Sequence, residues 1–108
     1  MSHYKLCVYV PETHTEQVKQ ALFAAGAGRI GNYECCSFQL RGQGQFRPLD
    51  GSAPFIGKQG EIETVVEDRV EMICDADHLK AAVAALRKAH PYEEPAFDIL
   101  PLVDIESL

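Results

Sequence analysis

The stretch Val70-Glu-Met-Ile-Cys-Asp-Ala-Asp-His-Leu-Lys-Ala-Ala-Val-Ala-Ala-Leu-Arg-Lys-Ala-His-Pro91 changes its hydrophobic period midway. Up to Cys74 the apolar side chains Val70, Met72 and Cys74 fall at every second position, as on one face of a strand. Beyond Asp75 they fall at Leu79, Ala82, Val83 and Leu86, the i, i+3, i+4, i+7 spacing of an amphipathic helix. Asp75 or Asp77 is placed to cap that helix, and His90-Pro91 stops it because a residue before proline is pushed out of helical conformation. One strand running straight into one helix is therefore the unit from which the rest is read.

The same unit occurs at the start of the chain. Tyr4, Leu6, Val8 and Val10 alternate along a strand, and Val18, Ala21, Leu22 and Ala25 follow at helical spacing. Thr13 and Glu16 have the spacing of a capping box, and Gly26 and Gly28 close the helix. A second strand is expected over Glu34–Arg41, a third from about Glu61 to Asp75, and a last over about Ala96–Leu102. Pro101 marks the last as an edge strand, since proline cannot donate to a ladder. The order β-α-β-β-α-β gives an α+β class: a ferredoxin-like sandwich, with both helices on one face of a four-stranded antiparallel sheet. The length of 108 residues allows a single domain, taken as 1–108.

Such a sandwich leaves the other sheet face uncovered. Alternation assigns to it Lys5, Cys7, Tyr9, Arg69, Glu71, Ile73, Asp98, Leu100 and Leu102, together with Cys35, Ser37, Gln39 and Arg41 of the second strand. This mixed surface is read as a partly wet interface between identical subunits. The connection 43–60 is the other feature that asks for a partner. It holds four glycines and two prolines but also Phe46, Leu49, Phe55 and Ile56, too apolar for a disordered linker. It is expected to be an ordered loop, with Arg41, Arg47 and Lys58 meeting a small anionic ligand or a protein partner and Phe46 and Phe55 packing beside them.

Sixteen acidic residues against ten basic ones, a net charge of −6, argue against a nucleic-acid partner. No apolar run reaches the ~20 residues of a membrane span. Nothing at the N-terminus resembles a signal peptide, so the cytoplasm is the expected location. Cys7, Cys35, Cys36 and Cys74 form no C-x-x-C pair and are read first as reduced thiols. The cluster His90-Pro-Tyr-Glu-Glu-Pro95 is the best candidate for a divalent metal ion, through His90, Glu93 and Glu94 with Cys35 or Cys36. Gly26-Ala-Gly-Arg-Ile-Gly31 has the register of a dinucleotide fingerprint but follows a helix, the reverse of what phosphate binding requires. No nucleophile–base pairing can be assembled, so an enzyme is not expected and no certain cofactor is implied.

Taken together, Gly26-Ala-Gly-Arg-Ile-Gly-Asn-Tyr33, Cys36-Ser-Phe38, Gly42-Gln-Gly-Gln-Phe-Arg-Pro48, Pro54-Phe-Ile-Gly57 and His90-Pro-Tyr-Glu-Glu-Pro-Ala96 resemble the YqfO-type insert domain of the Nif-three-like family. That module also occurs free-standing, the form expected here. The segment from Glu71 to Leu102 resembles CutA, a divalent-cation-tolerance protein related to the PII signalling fold. The resemblance implies a trimeric, non-catalytic binding or regulatory module, with the 43–60 loop where PII proteins bind partners. It also implies that the metal ligands of longer members lie in flanking domains outside this chain. The alternative is a divalent-metal (copper-like) binding or tolerance protein.

Overall fold

The computed structural model describes residues 2–108. Strand β1 (His3–Pro11) leads through a short 3-10 turn into helix α1 (Thr15–Ala24); β2 (Phe38–Phe46) and β3 (Glu63–Asp75) form a hairpin, followed by α2 (Ala76–Ala89) and β4 (Phe97–Pro101). The sheet is antiparallel with order β2-β3-β1-β4, so the first and third strands occupy its centre. β4 pairs only with β1, which leaves Pro101 on an edge as expected.

The core lies between the helices and one sheet face. Leu6, Val8, Val10 and Val70 from the strands are fully buried against Val18 and Leu22 of α1 and Ala82 and Leu86 of α2. Each large apolar side chain removed from water in this way contributes about 1.5–3 kcal/mol. Asp75 caps α2 by accepting from the His78 amide, and α2 ends where His90 turns extended before Pro91. The expected capping box at Thr13 is not formed. The 3-10 turn over Glu12–His14 delays α1 until Thr15, so Thr13 bonds His14 Nδ1 and Glu16 pairs with Lys19 instead. At the far end of α1, Gly26 adopts φ +105°, and a Cβ there would collide with the His78 ring.

Strand β2 departs most from expectation. It begins at Phe38 and runs to Phe46, so Gln43–Phe46 belong to the ladder and not to the loop. Cys35 holds φ +59° and interrupts the extended backbone, which resets the alternation. Gln39 and Arg41 therefore face the helix side, where Gln39 meets Lys19 and Arg41 meets Asp68. Phe38 and Leu40 turn instead to the uncovered face, 60% and 51% exposed. There they join Ile73 and Leu100, which is 54% exposed, making that face more apolar than the sequence pattern indicated.

The β1–β3 pairing ends at Pro11↔Glu67, while β2–β3 continues to Phe46↔Glu63. The last turns of the hairpin thus project past the body of the sheet and lengthen the molecule to 49 Å against 25 and 23 Å.

Candidate functional site

A cavity of about 410 Å³ sits in the corner between the projecting hairpin arm and the turn that follows α2. One wall is Phe46 and Glu67 of the arm, another is Tyr92, Glu93 and Glu94 of the turn, and a third is Leu49, Pro54, Phe55 and Ile56 from the connection. The connection folds back because the arm gives it an apolar surface to cover. The Phe46 and Phe55 rings approach Tyr92 at centroid distances of 5.9 and 6.5 Å, and Phe55 meets the edge of His14 at 5.4 Å. The Ala53 amide donates to Glu93 Oε1 at 3.1 Å, tying the connection to the turn.

His90 is the anchor of that turn. It is buried; the Tyr92 amide donates to its Nδ1 at 3.1 Å, so Nε2 carries the proton and donates to the Tyr9 carbonyl at 2.8 Å. Burial lowers its pKa below the usual histidine value, with the Tyr9 carbonyl opposing that shift. The imidazole is thus a neutral brace, and both its nitrogens are committed to backbone. Neither nitrogen is left free for the metal ion expected from sequence. Beside it, the Tyr92 hydroxyl is buried with no hydrogen-bond partner among the described residues; burial, and then the nearby Glu67 carboxylate, raise its pKa far above the tyrosine range.

The cations named from sequence do not converge. Arg41 binds the buried Asp68 carboxylate through Nε and a terminal nitrogen, at 3.0 and 3.2 Å, and also reaches Glu12 at 3.1 Å. Thr15 donates its hydroxyl to the same Asp68 at 2.7 Å. The Arg41 hydrogen bond is the main cause that holds the Asp68 pKa below the usual carboxylate range, aided by Thr15 against the cost of burial. Arg41 is therefore a structural clamp between β2, β3 and the start of α1. Lys58 is not in the cavity wall, whereas Arg47 is, along with both predicted phenylalanines.

The proposed metal set is not assembled either. Among the described residues no group of three or more histidine, cysteine, aspartate or glutamate side chains is placed to hold a metal ion. Cys35 is exposed, the Cys36 thiol points to the Glu34 carbonyl, and Glu93 accepts from Ala53. All four cysteines are free thiols. Cys7 and Cys74 are buried, and burial raises the pKa of both.

Sequence reading missed Glu67, Tyr9 and Tyr92 as cavity residues. The signal for Tyr92 lay in His90-Pro-Tyr-Glu-Glu-Pro95, where an aromatic ring stands between the imidazole and the two carboxylates. Asp68 was also legible: it is a carboxylate in phase with Val70, Met72 and Cys74, on the face that becomes the core.

No family model matches the chain. Among curated proteins, it is 53% identical over 103 residues to the GTP cyclohydrolase 1 type 2 homolog of Halalkalibacterium halodurans, covering 95% of this chain and 28% of that protein. It is 52% identical over 98 residues to the homolog of Bacillus subtilis, covering 91% of this chain and 26% of the relative. Among solved structures, a Bacillus cereus protein related to NIF3 superposes with a TM-score of 0.82 at 43% identity, over 95% of this chain and 26% of that one. CutA from Xylella fastidiosa superposes with a TM-score of 0.70 at 22% identity, over 99% and 90% of the two chains, a likeness of fold. The chain is a homologue of one segment, about a quarter of the length, of the NIF3-related GTP cyclohydrolase 1 type 2 homologs, and that segment has the CutA-like α+β fold.

Proposed function

We propose that this chain is a non-catalytic binding or regulatory module of the cytoplasm that takes a small ligand between its 47–60 connection and the turn after α2. The observation that carries this reading is the cavity itself. Its volume of about 410 Å³ lies within the ~300–1,000 Å³ of small-molecule sites. Phe46, Phe55 and Tyr92 bring aromatic rings to its walls beside a few polar groups, and the connection is held in place by its own contacts. Ser52 lies in the wall, but its hydroxyl donates to the Leu49 carbonyl of its own turn and is not set against a base. That arrangement favours binding over covalent chemistry.

The module assembles through its uncovered sheet face as a homo-oligomer, a trimer by the PII/CutA resemblance. Phe38, Leu40, Ile73 and Leu100 give that face an apolar centre, and Arg69, Glu71 and Asp98 give it polar surroundings. The GTP cyclohydrolase wording belongs to relatives of which this chain spans about a quarter, so it carries no reaction over to this chain.

The test replaces residues 47–62 with an Asn-Gly turn, which closes the hairpin at the paired Phe46 and Glu63. A panel of cationic, neutral and anionic metabolites is screened for a rise in melting temperature. The reading expects at least one compound to stabilise the full chain and not the shortened one. A compound that stabilises both equally contradicts it.

A further inference from the structure

The cavity wall has a charge balance opposite to the anionic ligand expected from sequence. It contains three carboxylates, Glu67, Glu93 and Glu94, and one cation, Arg47. Arg47 also borders a neighbouring depression formed with Pro48, Leu49, Asp50 and Gly60, so its charge is shared between two surfaces. Arg41, which could have changed the balance, is bound to Asp68 and Glu12. Three rings, Phe46, Phe55 and Tyr92, are gathered beside those carboxylates, inclined to one another by 54° and 48° in the two contacting pairs. Ring faces attract a cation through their quadrupole, by about 0.5–2 kcal/mol per contact as solvent is excluded. Carboxylates at the rim add attraction over a longer range, and the net charge of −6 acts in the same direction.

We propose that the cavity takes a small organic cation, with an ammonium or guanidinium group against Phe46, Phe55 and Tyr92 and facing Glu67, Glu93 and Glu94. This rests on the reading of the cavity as a ligand site and names the chemical class of its ligand. The volume fits one aromatic or branched aliphatic body attached to the charged group, and not a polymer.

Three probes that share a phenyl ring and differ in charge separate the cases: benzyltrimethylammonium, benzyl alcohol and benzoate. Each is titrated into the full chain while the backbone amide resonances of Ala53, Tyr92 and Glu93 are followed by NMR. Benzyltrimethylammonium is expected to saturate those shifts about tenfold more tightly than benzyl alcohol, with benzoate weakest. Phe55→Ala is expected to weaken the cation by roughly 2- to 30-fold, the span of one cation–π contact. Glu67→Gln is expected to weaken the cation and leave benzyl alcohol unchanged. If benzyl alcohol or benzoate binds as tightly as the cation, the cationic class is overturned while the cavity stands as a ligand site. If no probe saturates, both fall.

Discussion

The Nε2–H of His90 donates to the main-chain oxygen of Tyr9 at 2.8 Å, joining the end of α2 to the end of β1 across 81 residues of sequence. With the Tyr92 amide donating to Nδ1, the ring is held in a single neutral tautomer. Everything that shapes the 90–95 side of the cavity hangs from this brace.

That brace makes stability depend on pH. The folded-state pKa of His90 lies below its unfolded value, so below about pH 6.5 the unfolded chain takes up a proton that the native state refuses. The His90 contribution is complete above pH 6.5 and is lost as pH falls from there toward the folded pKa, with a limiting slope of about 1.4 kcal/mol per pH unit. Urea midpoints measured between pH 7.5 and 4.5 are expected to fall for the native sequence and to stay flatter for His90→Gln. Parallel pH dependence in the two proteins would remove His90 as the cause.

Thr15→Val keeps the shape of the side chain but removes the hydroxyl that Asp68 accepts from at 2.7 Å. Asp68 and Thr15 are both buried. Loss of a hydrogen bond to a buried carboxylate costs about 1.5–3 kcal/mol, to be read from denaturant unfolding at neutral pH. The depressed folded pKa of Asp68 makes its contribution complete above the unfolded value near 3.9 and progressively lost as pH falls through the folded one. The gap between Thr15→Val and the native sequence is therefore expected to narrow at acid pH.

Phe38→Lys tests the uncovered sheet face. Phe38 is well exposed in the single chain, so the substitution leaves the fold intact, with an effect within about ±0.5 kcal/mol on the isolated subunit. Sedimentation velocity at micromolar concentration is expected to show an oligomer for the native sequence and a monomer for Phe38→Lys. A native sequence that sediments as a monomer contradicts the interface.

The strand-to-helix units were legible because each rests on a short-range hydrophobic period: Leu6, Val8 and Val10 before α1, and Val70, Met72 and Cys74 before α2. The face of β2 was not. Its register is fixed by pairing with β3, and the left-handed Cys35 before it breaks the alternation that pattern reading extrapolates. The cavity was half legible. Phe46 and Phe55 stood out as aromatic residues in the connection, but their partners Glu67 and Tyr92 lie at least 12 and 37 residues further along the chain, and the projecting hairpin brings them together. The 90–95 turn likewise depends on contacts that the sequence pattern does not display. His90, Glu93 and Glu94 are close in sequence, but the backbone hydrogen bonds of the turn use the imidazole that would have been their common ligand.

Native mass spectrometry of freshly purified protein, compared with Phe55→Ala, tests the central claim that the folded connection makes a ligand site in an assembled module. The account predicts a trimer carrying small-molecule mass in the native sequence, and the same trimer without that mass in Phe55→Ala. A bare monomer in both samples, or bound mass that Phe55→Ala leaves unchanged, would contradict it.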